Sequence, residues 1–252
     1  MKRSRKLLVV AAVVGLAATA PAVYAVADDE DPGASPRAKA PETYADYSLM
    51  TEKHAGSVVG ADSGDVVTQW AWKPMDGGAA EIQWGNPKEG WPPKSGEHFE
   101  KDGDWVYMTG YYDHERDMFN KQEVTEEFVG DADCQNMKPL ETDGRQHYTK
   151  WEIPAEGYCL RAKGTITVEA NGAVVNFEHE QRWSPPKPCE NSHLGQQTCI
   201  VQHETWSDDN KHEFKKVLER DQYLAKGLGM AFRIDASFPE DWHAEMKDSW
   251  TY

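Results

Sequence analysis

The sequence predicts a mainly β protein that forms an antiparallel sandwich or a strongly curved, barrel-like sheet. Three observations favour this fold class. From residue 56 onward, short runs rich in Val, Ile, Thr, Tyr and Trp alternate with turn residues, and their period is near two. Ten Trp, ten Tyr and seven Phe supply apolar area for one substantial core. No fixed-period repeat occurs, and the only long apolar run is N-terminal, which excludes solenoids and multispanning membrane proteins.

The N-terminus has the pattern of a secretory signal peptide, which we assign to residues 1–25. Its first six residues include four basic side chains and no acid, and residues 7–20 are an uninterrupted apolar run. Pro21 and small residues follow, so cleavage is expected after Ala25 or Ala27. An uncleaved anchor is the alternative reading of this uncharged segment. Cleavage implies an exported protein with no integral membrane association.

The remaining chain divides into a short connecting segment and one domain. Residues 26–45 are acidic and then rich in Pro and Ala, which is typical of a linker or a short pro-segment. We expect residues 46–252 to form a single β-rich domain stapled by disulfides.

The strand predictions cover most of this domain. Each run is bounded by Gly, Pro, Asn, Asp or Ser. The predicted strands are Val66–Trp72, Ala80–Trp84, Trp105–Tyr112, Glu123–Val129, Gln146–Ile153, Tyr158–Val168, Ala173–Trp183, Thr198–Trp206 and Met230–Phe238.

Turn chemistry and periodicity refine this list at three places. Asn171 and Gly172 favour a hairpin between two of the predicted strands. Residues 211–226 fit a helix and a strand equally well, because their apolar residues lie near helical spacing. A second short helix is an option at residues 239–246. Residues 223–230 resemble a glycine-containing turn of some curved-sheet exported bacterial proteins, but eight residues are too few to assign a family.

The four cysteines support the export prediction. An even number of cysteines in an exported chain indicates two disulfides. We predict the pairs Cys134–Cys159 and Cys189–Cys199, because short loops close most readily. Two other pairings remain open. No CxxC pair occurs, so we predict no metal site at these thiols. We expect no metal site elsewhere in the chain and no cofactor.

The acidity of the chain narrows the range of partners. Its net charge is −16, and loss of the four basic residues in the signal peptide changes this to −20. Such a chain offers no basic stripe that could release counterions from a phosphate polymer. We therefore expect no nucleic-acid partner and favour a neutral or cationic ligand or a protein partner. The sequence does not determine the oligomeric state.

No catalytic motif stands out among the polar residues. The chain lacks HExxH, GxSxG, GxGxxG and the Walker pattern, although a triad or a carboxylate pair can occur at any spacing. His179 and His203 are candidates to face each other across neighbouring strands. A cross-strand polar pair is the favoured interpretation, because no third metal ligand is identifiable.

Aromatic residues give the better indication of function. A loop rich in Pro and Gly carries two tryptophans, and one following strand carries four more aromatic residues. Exposed aromatic rings are suited to binding carbohydrates or protein partners. The alternative interpretation is that these rings pack in the core of the domain. The predicted ligand-binding residues are Trp84, Trp91, Trp105, Tyr107, Tyr111 and Tyr112.

The leading hypothesis is a secreted, non-catalytic binding or structural protein that presents this aromatic surface. It would act in the extracellular or cell-envelope space. A secreted hydrolase with a carboxylate or histidine site is the second hypothesis. A curved-sheet carrier of an apolar ligand such as a lipid is the third.

Overall fold

The computed structural model of the protein describes residues 40–60, 66–84, 95–209, 215–235 and 242–252. The predictions of a signal peptide, of the linker up to residue 39 and of a binding role for Trp91 lie outside the described residues.

The described residues form one short helix, one 3₁₀ turn and a sheet of fifteen strands. The elements are α1 (Tyr44–Ser48), β1 (His54–Gly60), β2 (Val66–Pro74), the 3₁₀ turn (Asp76–Gly78), β3 (Ala79–Trp84), β4 (Ser95–Asp102), β5 (Trp105–Asp113), β6 (Met118–Asp131), β7 (Lys138–Pro139), β8 (Gln146–Lys150), β9 (Tyr158–Val168), β10 (Ala173–Trp183), β11 (Lys187–Asn191), β12 (Gly195–Asp208), β13 (Lys215–Ala225), β14 (Gly229–Asp235) and β15 (Trp242–Thr251).

Twelve of these strands close into an antiparallel barrel. The order around the ring is β1-β2-β3-β4-β5-β6-β9-β10-β12-β13-β14-β15, and β15 pairs with β1. The ring closes where Gly110–Asp113 of β5 pairs with the start of β6. β8 pairs with the first half of β5, while β7 and β11 pair with β6 and β12. The predicted mainly β class is thus confirmed, in its barrel form.

The hairpin predicted around Gly172 is confirmed, since β9 and β10 pair from Val168 and Ala173 onward. Gly172 has φ +69°, a conformation that glycine adopts without the steric cost of a Cβ atom. The barrel also has strands that the sequence did not predict, among them β1, β4 and β15.

Both C-terminal segments that the sequence left open as possible helices are strands where the structure describes them. Lys215–Ala225 is strand β13, which pairs with β12 and β14. Trp242–Thr251 is strand β15, which pairs with β14 and β1. Tertiary pairing overrides the local helical spacing, because the backbone groups of these segments complete the ladder of a closed sheet.

Helix α1 covers one end of the barrel, which we call the capped end. It begins with a capping box between Thr43 and Asp46 and ends at Leu49 in the left-handed region. Tyr44 is 2% exposed, and its ring packs edge-on against those of Tyr148 and Trp183. Tyr44 therefore belongs to the core, although the sequence placed it at the end of the linker.

Two disulfides staple the barrel, and both predicted pairs are confirmed. Cys134–Cys159 joins the turn after β6 to β9, and Cys189–Cys199 joins β11 to β12. Within the described ranges there is no helix with the length and apolarity that crossing a bilayer requires.

Candidate functional site

The lumen of the barrel contains the candidate site. Side chains on β10, β12 and β13 alternate between the lumen and the outer surface, as the pleat of a strand requires. Along β12 and β13, successive inward pairs are Trp206 with Leu218, Glu204 with Arg220, Gln202 with Gln222, and Ile200 with Leu224. The lumen is therefore apolar at both ends and polar in the middle.

The end of the lumen remote from α1 is lined by an apolar collar of Phe177, Trp206, Ile166 and Leu218. The rings of Phe177 and Trp206 are stacked, with centroids 4.5 Å apart and planes 11° from parallel. Such stacking adds roughly 0.5–1.5 kcal/mol to the burial of the two rings. The collar therefore has a defined shape rather than loosely packed side chains.

A charged layer lies next to the collar. Glu204 and Arg220 are 2% and 9% exposed and make direct contact. Gln202 donates to Glu204 Oε2 over 3.1 Å, and His179 Nε2 lies 3.4 Å from the same oxygen. The buried carboxylate is thus surrounded by one cation, one amide and one imidazole.

Polar side chains connect the charged layer to the surrounding strands. Gln146 Nε2 lies 2.7 Å from His179 Nδ1, so the two histidine nitrogens have different neighbours. The Tyr148 hydroxyl donates to Gln202 Oε1 over 2.9 Å, and Trp183 Nε1 donates to the Tyr148 carbonyl over 3.0 Å. A connected network of this kind holds the polar side chains in one arrangement.

Glu97 projects into the lumen from β4 and differs from Glu204. It is half-buried and forms no hydrogen bond with another described residue. Burial raises the pKa of its carboxyl group, against the nearby charges of Arg220 and Arg233, which lower it.

The pKa of Glu204 is shifted in the opposite direction, to about 2. Burial acts to raise it, but the Arg220 charge and the hydrogen bond with His179 lower it more. The lumen thus holds one carboxyl group whose pKa is raised and one whose pKa is lowered.

A cavity of about 280 Å³ lies between the collar and the charged layer. Its walls include Glu97, Glu204, Arg220, Tyr111, Tyr148 and Trp206. On the side of α1, the space beside Tyr44, Trp70 and Trp84 is only about 20 Å³, which is room for a single water. A ligand of the lumen would therefore occupy the larger cavity.

Two of the predicted ligand-binding residues face the lumen. The Tyr111 ring lies 6.3 Å from that of Trp206, and Tyr111 lines the large cavity. The Arg233 guanidinium lies 5.4 Å over the Trp84 ring, within the distance of a cation–π contact. The lumen position of Trp84 depends on closure of the barrel, which the sequence does not show.

The other described aromatic residues of that prediction lie on the outer surface. Trp105 and Tyr107 contact the His147 ring, with centroids 4.7 Å and 4.5 Å away. Tyr112 packs against the rings of His98 and His114. The six predicted residues therefore do not share one face.

The histidine pair considered from the sequence is also separated. His179 is 5% exposed and faces the lumen, whereas His203 is opposite Arg182 on the outer surface. His203 Nδ1 lies 2.7 Å from Asp221 Oδ1, and this carboxylate raises the pKa of the imidazole. The two histidines do not face each other, because they occupy opposite parities of neighbouring strands.

The sequence reasoning did not identify Glu97, Glu204 or Arg220. The sequence contains one indication of these residues. Glu204 and Arg220 carry opposite charges, and each lies an even number of residues from an apolar residue of its own strand, Trp206 and Leu218. Reading that signal requires the pairing register of β12 and β13.

Comparison with known proteins gives two similar solved structures. One is described as an exported protein with a YmcC-like fold from Bacteroides fragilis; it shares 11% identity, with 79% of this chain and 96% of that chain covered and a TM-score of 0.36. The other is described as a lipoprotein from Parabacteroides distasonis; it shares 9% identity, with 81% and 98% covered and a TM-score of 0.38. No family model and no curated protein matches the chain. At these TM-scores, the fold rests on the strand pairing of this chain alone.

Proposed function

We propose that this protein is an exported binding protein that holds one small, uncharged ligand in the lumen of its barrel. The observation that carries the proposal is the cavity of about 280 Å³ between an aromatic collar and a charged layer. A mostly apolar cavity with a few fixed polar groups is the usual form of a small-molecule site.

The volume argues for a small ligand. It equals roughly nine waters at about 30 Å³ each, and it lies just below the range of about 300–1,000 Å³ for drug-sized ligands. The lumen surface near Glu204 and Arg220 is charged rather than apolar. Both properties argue against the carrier of a long-chain lipid.

The charges argue for a neutral ligand. Glu204 and Arg220 already compensate each other, so a further net charge beside them would have to be desolvated without a matched partner. Glu97 forms no hydrogen bond with the described residues, and its raised pKa lets it donate when protonated or accept when ionised. A ligand with an apolar ring and one amide or hydroxyl group complements this surface.

Calorimetry with three probes of similar shape tests the proposal. Benzamide, benzoate and benzylamine differ at pH 7 mainly in charge. We expect benzamide to bind with a dissociation constant of roughly 0.5 mM, from about nine heavy atoms at about −0.5 kcal/mol each. Benzoate and benzylamine should bind at least about tenfold more weakly. Stronger binding of benzylamine would instead favour a cationic ligand.

A pair of substitutions on β9 locates the binding site. Ile166 lines the cavity, so Ile166→Trp should fill it and abolish benzamide binding. Thr167 is the next residue and is exposed, so Thr167→Trp adds the same ring to the outer surface. Equal binding by both folded variants would place the ligand elsewhere and refute the lumen site.

A hydrolase is the second candidate function. The observation that favours it is the pair of lumen carboxyl groups whose pKa values are shifted in opposite directions, raised for Glu97 and lowered for Glu204. Glu97→Gln separates the two functions, because an amide preserves hydrogen bonding but cannot transfer a proton. A binding protein should keep benzamide affinity within about threefold, whereas a hydrolase would lose turnover of its substrate.

Export is the remaining part of the proposal. Two disulfides form readily in an oxidising compartment and are rare in the cytosol. Secretion from the native host, followed by intact-mass measurement, should give a chain that begins after Ala25 or Ala27 and contains no free thiol.

A further inference from the structure

A histidine–carboxylate cluster lies on the outer surface of the barrel, away from the lumen site. Glu81 is on β3, His98 is on β4, and His114 follows β5. The Glu81 side chain is 4% exposed, although it is on the outer parity of its strand. The two imidazoles are 20% and 19% exposed, so the cluster is reachable from solvent.

Both histidines direct Nε2 towards the same carboxylate. His114 Nε2 contacts Glu81 Oε1, and His98 Nε2 lies 3.8 Å from Glu81 Oε2. Gln83 donates to Oε2 over 3.1 Å. Lys73 is opposite Glu81 on β2 but is exposed and makes no ion pair with it within the described part of the chain. The side-chain neighbours of the buried carboxylate are therefore two imidazoles and one amide.

The backbone and the neighbouring rings are arranged around this cluster. A Cβ atom at Gly96 would lie 2.0 Å from Glu81 Oε1, so only glycine lets the carboxylate cross β4 towards His114. The His98 ring packs against the rings of Tyr112 and Phe119, with centroids 6.0 Å and 5.0 Å away. The side chains that could ligate an ion are thus held in place by packing.

We propose that Glu81, His98 and His114 bind one divalent transition-metal ion, with Zn²⁺ as the expected occupant. Two imidazole nitrogens and one carboxylate oxygen are a ligand set that Zn²⁺ takes readily, with bonds of about 2.0–2.2 Å and water in the remaining position. On one tetrahedral ion, two such ligand atoms lie about 3.3 Å apart. The two nitrogen–oxygen separations at Glu81 are shorter and longer than this value, and the three ligand atoms do not all lie within 4.8 Å of one another. Metal binding therefore requires the His98 and His114 side chains to rotate towards each other around the Glu81 carboxylate.

The cysteine pair is not an alternative site. Cys134, Cys159 and Glu180 bring their ligand atoms within 4.8 Å of one another. Both sulfurs are consumed by the Cys134–Cys159 bond, so neither offers the thiolate that a metal binds.

Calorimetric titration of the chelator-treated protein with ZnCl₂ at pH 7.5 tests the proposal. We expect one strong site per chain, lost or weakened at least about tenfold in Glu81→Gln, His98→Gln and His114→Gln. The matched control is His203→Gln, which removes an outer-surface histidine that also contacts a carboxylate, and it should bind like the parent protein. Parent-like binding by all three folded cluster variants would overturn the proposal.

A second measurement needs no substitution in the cluster. Long-range ¹H–¹⁵N spectra of the parent protein report the state of each imidazole, and one equivalent of Zn²⁺ should shift two of them. Absence of any such shift would show that the cluster is a hydrogen-bonded polar group only, and would overturn the site even if a variant failed to fold. Gly96→Ala should weaken binding as well, because its Cβ atom displaces the Glu81 carboxylate.

Discussion

Replacing Arg220 by Met tests whether the charged layer stabilises the barrel through its buried ion pair. Arg220 is 9% exposed and contacts Glu204, which is 2% exposed. Burial acts to raise the pKa of Glu204, but the Arg220 charge and His179 lower it from 4.5 to about 2. At about 1.4 kcal/mol per pH unit, ionised Glu204 contributes about 3 kcal/mol to folding.

The substitution should therefore lower the free energy of unfolding by about 3–5 kcal/mol at pH 7, because it leaves a buried carboxylate without its cation. For a domain of this size the melting temperature should fall by about 6–20 °C. Urea unfolding followed by tryptophan fluorescence measures the first quantity, and differential scanning calorimetry measures the second. The control is Arg161→Met, which removes an ion pair with Glu180 from a side chain that is 47% exposed and should cost at most about 1 kcal/mol.

The pH dependence supplies a sharper test of the same reasoning. A group whose pKa is lower in the folded state stabilises the fold above its unfolded pKa, and this contribution is lost as pH falls through the folded pKa. For Glu204 the loss should occur between about pH 4.5 and pH 2. The difference between Arg220→Met and the parent protein should shrink over the same range. A difference below about 1 kcal/mol at pH 7, or one that stays constant down to pH 2, would refute the role of the pair.

Two further predictions concern the backbone and the outer surface. Gly172→Ala should cost only about 1 kcal/mol, because the positive φ is strained but the added Cβ atom meets nothing within 4 Å. Gly164→Ala should cost clearly more in the same urea titration, because its Cβ atom would lie 2.2 Å from the Glu123 carbonyl oxygen. His203 should titrate above 6.5 in NMR spectra, and Asp221→Asn should bring its pKa down, since the hydrogen bond to that carboxylate raises it most. An unchanged His203 pKa in the Asp221 variant would contradict that cause.

The sequence predicted the class of fold and the disulfides for local reasons. Alternation along residues 173–183 and the Asn171–Gly172 turn act over a few residues, so they are readable without the tertiary structure. The short spacing of Cys189 and Cys199 likewise restricts their pairing, and β11 and β12 place them side by side. The sequence did not predict helix α1, because its five residues are stabilised mainly by burial of Tyr44 and Tyr47 at the end of the barrel that the helix covers.

The residues that left the prediction at β13 undecided between helix and strand also build the candidate site. In an isolated sheet with one wet face, a strand alternates apolar and polar side chains, but a closed barrel puts some polar side chains inside. Between Leu218 and Leu224 the inward positions of β13 are Arg220 and Gln222, which lie beside Glu204 and Gln202 of β12. The two leucines are thus six residues apart, and the apolar pattern no longer shows a period of two. Polar residues that interrupt the alternation of one strand, opposite residues of complementary charge on the next strand, therefore indicate a polar lumen. This signal can be recognised only when the pairing register of the two strands is known.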